Sequence, residues 1–208
     1  LTDSILLCSG GLDSTVLSYQ LLREKTDFIP VFINYGQHCA AVELETAKAV
    51  LPSQVLAALE VLDISNVYKR SESRLMRAAN LWDVSVKPDD LYVPYRNLLL
   101  FTVGAAFAVT VGAHRVFTAV INSFRAKEID CSVEFFSKLR GVMDVYGDVE
   151  LVMPFRDMSK TEVARLGAVL GAPLGQTFSC QAAAEMPCGA CPNCVERLNA
   201  LSSIGESK

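Results

Sequence analysis

The sequence predicts an α/β protein: a doubly wound parallel sheet of about five strands, followed by a C-terminal four-cysteine segment. Three observations predict it. Apolar runs of strand length alternate with helical patterns along most of the 208 residues. A Gly-Gly turn flanked by hydroxyls, Ser9-Gly10-Gly11-Leu12-Asp13-Ser14-Thr15, joins the first strand pattern to the first helix pattern. Four of the seven cysteines, Cys180, Cys188, Cys191 and Cys194, crowd together near the end.

Ser4–Cys8 reads as the first strand and Ser14–Arg23 as a helix. Phe28–Asn34, rich in β-branched residues, is the second strand. Ala40–Leu51 is a helix that Pro52 stops. Leu59–Ile64 is the third strand, and residues 65–95, with charges and Pro88 and Pro94, read as a partly irregular insertion. Leu98–Ala113 carries no charge. It falls short of the roughly 20 residues a membrane span needs, so Leu98–Val111 reads as a helix buried against the sheet. Arg115–Ile121 is the fourth strand, Val133–Tyr146 a helix and Val149–Pro154 the fifth strand. Ser159-Lys160-Thr161-Glu162 is a capping box that opens a helix ending near Gly171-Ala172-Pro173. Ligands of such sheets bind outside the carboxyl ends of the strands, where the Ser9–Thr15 turn lies.

That turn is suited to phosphate. Glycines let backbone N–H groups approach an anion, and the helix N-terminus adds a favourable dipole. Ser9, Ser14 and Thr15 offer hydroxyls, and Asp13 can cap the helix or help position a metal ion. No Gly-Lys-[Ser/Thr] follows the glycines and the third glycine of G-x-G-x-x-G is missing, so it is neither a Walker A loop nor a dinucleotide fingerprint. An ordinary tight turn with an Asp cap is the competing reading.

With 51% hydrophobic and 20% charged residues the chain is globular, and a net charge of −4 argues against a large nucleic-acid surface. The N-terminus shows no basic region ahead of an apolar run, so a cytoplasmic protein with no membrane partner is expected. The first residue is Leu1 rather than Met, which points to a start further upstream.

Cys188-Gly189-Ala190-Cys191-Pro192-Asn193-Cys194 makes two consecutive C-x-x-C steps, and Cys180 supplies a fourth thiolate for a tetrahedral zinc site. An iron–sulfur cluster and a redox dithiol are the rivals. With four protein ligands the zinc would be structural, pinning Glu196–Leu201 onto the domain. Cys8 and Cys39 read as small buried hydrophobes, and Cys131 stands apart. His38 and His114 have no metal-like spacing. Residues 1–175 are expected to form a nucleotide-binding α/β domain, with 176–208 a zinc segment packed on it.

Together these residues resemble the 7-cyano-7-deazaguanine synthase (QueC) family of PP-loop, HUP-like ATP pyrophosphatases, from Ser9 to Arg197. Ser9–Thr15 matches the family's S-G-G-x-D-S loop. Asn34-Tyr35-Gly36-Gln37-His38 matches, with Glu43 or Glu45 behind it. Val93-Pro94-Tyr95-Arg96-Asn97 matches V-P-x-R-N, Asp130-Cys131 the D-C pair, and Ser179-Cys180 with Cys188 to Arg197 the zinc segment. The resemblance implies an enzyme that uses ATP and Mg²⁺ to adenylate 7-carboxy-7-deazaguanine. Ammonia then gives the amide, and a second ATP drives dehydration to the nitrile. Cys8, Ser9, Gly10, Gly11, Leu12, Asp13, Ser14 and Thr15 would hold ATP. Asp13, Ser14 and Arg96 would serve catalysis, and Tyr35, Gln37, Arg96 and Asn97 the substrate. By position alone, Arg96 and Asn97 would read as a surface ion pair and a helix cap. A homodimer is also implied.

Part of the family pattern is altered. The family's Arg after D-C is Ser132 here, Gln181 stands where the family favours tyrosine, and Ile121–Ser132 lacks its glycine-led S-G-Y-P stretch. Phe124 or Arg125 in that stretch could stack on a purine-like ring. The activating half therefore keeps the pattern while the acceptor half departs from it. That leaves a nitrile-forming synthase, a ligase passing the activated acid to another amine such as a protein N-terminus, and a non-catalytic nucleotide-binding module. Retention of Asp13 and Ser14 weighs against the last. A tRNA-thiolating enzyme fits less well, since the chain is acidic and shows no RNA-binding appendage.

Overall fold

A computed structural model of the chain describes residues 2–77, 88–121, 132–182 and 185–205. Its strands are β1 (Ser4–Leu7), β2 (Ile29–Asn34), β3 (Glu60–Asp63), β4 (Arg115–Phe117) and β5 (Glu150–Val152). Its helices are α1 (Leu12–Arg23), α2 (Ala40–Val50), α3 (Ser53–Leu56), α4 (Arg96–Thr110), α5 (Val133–Tyr146), α6 (Lys160–Leu170) and α7 (Pro192–Ser202). The five strands form one parallel sheet in the order β3-β2-β1-β4-β5. The order turns around at β1, between β2 and β4, which is where doubly wound sheets open a crevice for ligands.

The central strands are buried on both faces, as their unbroken apolar runs require. Ile5 pairs with Val116 and Leu6 with Phe117 across β1 and β4. With a period of two, Ile5 and Val116 meet the layer of α4 and α5, including Phe101, Phe136 and Leu139. Leu6 and Phe117 meet α1, α6 and α7, including Leu17, Val163 and Leu201. Each such side chain contributes about 1.5–3 kcal/mol through burial.

The capping box is formed: Ser159 Oγ accepts from the Glu162 N–H, and Glu162 Oε2 accepts from the Ser159 N–H at 2.7 Å. Gly167 then lets α6 lie close on α1. A Cβ there would stand 2.6 Å from Val16 and 2.7 Å from Leu174. The N-terminus of α6 is thereby held at the same sheet edge as the Ser9–Thr15 loop.

The apolar helix α4 differs from the sequence reading in two ways. The apolar helix starts two residues earlier, at Arg96, because Tyr95 takes a left-handed conformation (φ 58°) as its N-cap. It is buried on one face only: Phe101, Gly104 and Ala108 face the sheet, while Leu98 and Val109 are 36% and 54% exposed. Its open face and α5 form an apolar groove of about 420 Å³. Among the described residues no helix is long and apolar enough to cross a membrane.

Candidate nucleotide and metal site

The loop from β1 to α1 stands at the point where the strand order reverses. The Cys8 N–H is spent on the Val31 carbonyl at 2.9 Å, and burial pushes the Cys8 thiol up to about 12, so this cysteine is an inert core residue. Leu12 is likewise fully buried in the core. Gly10 has φ +72°, and a Cβ there would sit 2.7 Å from both the Ala47 nitrogen and the Glu43 carbonyl. Only glycine lets α2 close on the loop in this way.

The hydroxyls buttress the loop from within. Ser14 Oγ accepts from the Ser9 N–H at 3.3 Å, and Ser9 Oγ accepts from the Gly11 N–H at 3.4 Å. Ser14 and Thr15 donate to the Gly11 carbonyl at 3.3 and 2.8 Å. Gly11 is the N-cap of α1 and supplies no side-chain cap. The first N–H groups of a helix have no acceptor within it, so an anion suits this end.

Asp13 was expected to cap α1 or to meet a metal, and it does not cap. It lies in the first turn, where Oδ2 accepts from Lys160 Nζ. Its other oxygen, Oδ1, is sealed from solvent and has no hydrogen-bond partner among the described residues. An orphaned carboxylate oxygen beside a turn suited to phosphate fits a divalent cation, a role for which oxygen is the proper donor.

A second polar group follows β2. Asn34 Oδ1 accepts from the Gly36 N–H at 3.0 Å, which shapes the turn. Gln37 is buried: its Oε1 accepts from the Tyr35 N–H at 3.0 Å, and its amide donates to Glu43 Oε2 at 2.8 Å. Burial raises the Glu43 carboxyl above its ordinary range, against the Gln37 bond and the nearby Arg96. Burial also pushes the Tyr35 hydroxyl up to about 12, although Arg96 lies beside it and is hydrogen-bonded to it. Arg96 Nε donates to Asn97 Oδ1 at 3.4 Å. Tyr35, Gln37, Glu43 and Arg96 thus form one connected cluster, with Asn97 at its edge. Glu45 is outside it, exposed and paired with Lys48 at 2.7 Å.

The four cysteines converge. The sulfurs of Cys180, Cys188, Cys191 and Cys194 all lie within 4.8 Å of one another, with Cys188 and Cys194 3.9 Å apart. Tetrahedral zinc with bonds of ~2.3 Å would set its sulfurs ~3.8 Å apart, so the set fits the metal. Backbone N–H groups of Cys188 and Cys191 point at Cys180 and Cys188 sulfurs, at 3.4 and 3.2 Å, as thiolates require. Burial pushes the Cys194 thiol up to about 11, and a bound cation would favour its thiolate. Pro192 starts α7 directly behind Cys191. Buried Arg197 ties α7 down by donating to Thr177 Oγ1 at 2.9 Å and to the Leu174 and Gly175 carbonyls at 3.0 Å.

The metal segment and the loop are contiguous, since the Phe178 N–H donates to the Gly10 carbonyl at 3.1 Å. Cys39, expected to be a small buried hydrophobe, is buried, and it packs among the four clustered cysteines. The Leu75 carbonyl can only accept, so His38 carries its proton on Nδ1, 3.1 Å away. Nε2 then accepts from the Cys39 thiol at 3.2 Å. His114 is exposed, 3.9 Å from Asp148. Phe124, Arg125, Asp130 and Cys131 lie outside the described residues.

Sequence reasoning missed Lys160 as a neighbour of the loop. The signal was present in the capping box: Lys160 is the first residue of the helix that follows β5, a strand parallel to β1, so it starts at the same sheet edge as the loop.

A family model described as Queuosine biosynthesis protein QueC matches residues 3–205. A 7-cyano-7-deazaguanine synthase of Methanospirillum hungatei is 30% identical over 212 residues, covering 97% of this chain and 96% of that protein. One from Archaeoglobus fulgidus is 32% identical over 212 residues, covering 97% and 87%. Among solved structures, a 4-thiouridine synthetase–RNA complex with bound ATP matches 96% of this chain and 53% of its own, with a TM-score of 0.56 at 16% identity, a likeness of fold alone. With its loop, its four-cysteine set and a match over nearly its whole length, the chain belongs to the QueC family.

Proposed function

We propose that this protein is an ATP-dependent carbon–nitrogen ligase that activates 7-carboxy-7-deazaguanine by adenylation and forms its amide and then its nitrile, 7-cyano-7-deazaguanine. The observation that carries the reading is the phosphate loop with the half-satisfied Asp13 carboxylate at its rim. A carboxylate is a poor electrophile because its oxygen leaves badly, whereas AMP leaves well. A carboxylate oxygen attacks the α-phosphorus of ATP and pyrophosphate departs with the bond's electron pair. Ammonia then adds to the acyl carbon and AMP leaves, giving the amide. A second ATP activates the amide oxygen, and loss of AMP with the amide protons leaves the nitrile.

The N-terminal N–H groups of α1 hold the phosphates, with the loop kept in shape by Ser9, Ser14 and Thr15. Asp13 Oδ1 would hold Mg²⁺, which supplies charge neutralisation to the triphosphate when bound. Arg96, held between Tyr35 and Glu43, neutralises the acid or the α-phosphate. Gln37 holds Glu43 in place. Cys180, Cys188, Cys191 and Cys194 would hold structural zinc, which fixes residues 176–208 against the loop. The reading has the enzyme working in the cytoplasm as a homodimer, without nucleic acid.

Ser132 favours a second reading, in which another amine, such as a protein N-terminus, accepts the activated acid. This residue, which replaces the family's arginine, is committed to capping α5, where its Oγ accepts from the Phe135 N–H at 3.0 Å. It therefore cannot supply the positive charge that the family places there. Incubation with ATP, the acid and ammonium, followed by mass analysis, tests the proposal. The nitrile is expected. Amide alone, or no small-molecule product, points to the other acceptor, and no consumption of ATP with the acid present contradicts both readings.

A further inference from the structure

The turn between β5 and α6 brings a further arginine to the sheet edge that carries the phosphate loop. We infer that Arg156, in that turn, is an anion-binding residue of the site, its guanidinium taking an oxyanion of a bound ligand, a carboxylate or a phosphate. This rests on the site proposed above for ATP and the acid, and adds to it a residue that neither the loop nor the cluster behind β2 contains.

Arg156 is held in place from both sides. β5 runs parallel to β1, so the turn that follows it lies at the loop's edge of the sheet. Phe155, one residue before, is buried in the same core as Cys8 and Leu12, which bracket the loop's two glycines. Lys160, four residues after, reaches Asp13 in the loop. The Arg156 N–H donates to the Met153 carbonyl at 3.3 Å and the Met158 N–H to the Phe155 carbonyl at 3.0 Å, so the turn is folded on itself. Fully extended, four residues span about 14 Å at most. The folded turn keeps the Arg156 backbone nearer than that to Lys160.

The side chain lacks a partner. Among the described residues, three buried side-chain polar atoms have no hydrogen bond: Asp13 Oδ1, Gln20 Oε1 and Arg156 Nε. Two of the three, a vacant acceptor and a vacant donor, belong to this sheet edge. None of the ion pairs among the described residues includes Arg156. Buried Arg197, by contrast, spends Nε on Thr177 and another nitrogen on the Leu174 and Gly175 carbonyls.

The plain alternative is a surface arginine that lays its stem on the protein and keeps its head in water. That accounts for a half-buried residue but not for Nε, which solvent does not reach. A sealed donor with no acceptor costs free energy that a solvated arginine avoids. An ion pair with Asp13 is the other alternative, but Asp13 turns to Lys160 instead. A guanidinium presents its donors as a planar fork that matches a carboxylate or a phosphate bidentately. Beside a helix end suited to anions, a ligand oxygen would give Nε the acceptor that the described residues do not.

The test compares wild type, R156M, R156K and R156Q by calorimetric binding, each anionic ligand beside its neutral counterpart: ATP with Mg²⁺ beside adenosine, and 7-carboxy-7-deazaguanine beside its amide. R156M should weaken ATP or the acid by about 10- to 100-fold and leave the matching neutral ligand unchanged. R156K, which keeps the charge without the fork, should recover part of the loss. A loss for ATP assigns the oxyanion to a phosphate, and a loss for the acid assigns it to the carboxylate. If R156M binds both anionic ligands as tightly as the wild type, or loses their neutral counterparts to the same degree, Arg156 serves the fold and the inference is overturned. Should R156M fail to fold, R156Q, which keeps a polar head, makes the same comparison. A wild type that binds ATP but not the acid would refute the adenylation reading, while the ATP arm still decides the role of Arg156.

Discussion

The phosphate loop and the cluster behind β2 touch each other, since the Glu43 carbonyl lies against Gly10, yet they are built in opposite ways. The loop is a backbone device. Its hydroxyls are consumed in holding its own shape, and its working groups are N–H donors at a helix end. The cluster is a side-chain device, in which Tyr35, Gln37, Glu43 and Arg96 hold one another partly out of water. A backbone device tolerates few neighbours and suits one kind of ligand, an anion such as phosphate. A side-chain device can be retuned residue by residue, which would suit the half of the site that the proposed function assigns to the acid.

The difference can be broken most sharply at Asp13, the loop's one unsatisfied side chain. Asp13→Ala should cut acid-dependent pyrophosphate release by about 10²- to 10³-fold or more while the unfolding midpoint moves little. A collapse of the midpoint instead would make Asp13 a structural residue.

The loop was legible in the sequence for the same reason that it is a backbone device: glycines, hydroxyls and a helix start are local signals. The five strands, the capping box and the four cysteines were legible too, each from spacing within a short window. The Asp13–Lys160 pair was not read, because the contact spans 147 residues and its one signal, two helix starts at the same sheet edge, is topological rather than local. Nor could spacing choose between Glu43 and Glu45, which differ only in the face of α2 they occupy. The early start of α4 depends on Tyr95 entering the left-handed region, which tyrosine rarely does.

Metal removal sharpens the comparison from a third side. The four-cysteine segment holds the loop through the Phe178 to Gly10 hydrogen bond. Chelation, or Cys191→Ser, should cost several kcal/mol and lower the unfolding midpoint by about 10 °C or more. ATP binding should fall with it. Elemental analysis should give about one zinc per chain; iron with visible absorbance would reject the zinc assignment.

The smallest effect is expected at Glu43. Burial raises its pKa above the ordinary 4.5. The folded state then binds this proton more tightly than the unfolded state. Its contribution to stability is complete below pH 4.5 and is lost as pH rises through the raised folded value. Glu43→Gln keeps the bond from Gln37 and carries no charge, so its stability should fall less than the wild type's across that window. Activity should drop by about 10-fold, through KM for the acid, if Glu43 serves recognition. Parallel stability curves would show that Glu43 is better solvated than its place beside Gln37 implies.

The central claim is that the loop cleaves ATP between its α- and β-phosphates to activate a carboxylate. The most direct measurement is exchange of labelled pyrophosphate into ATP, with and without 7-carboxy-7-deazaguanine and with no amine present. The account predicts exchange that requires the acid and disappears in Asp13→Ala. No exchange with the acid, together with release of ADP and phosphate, would contradict it.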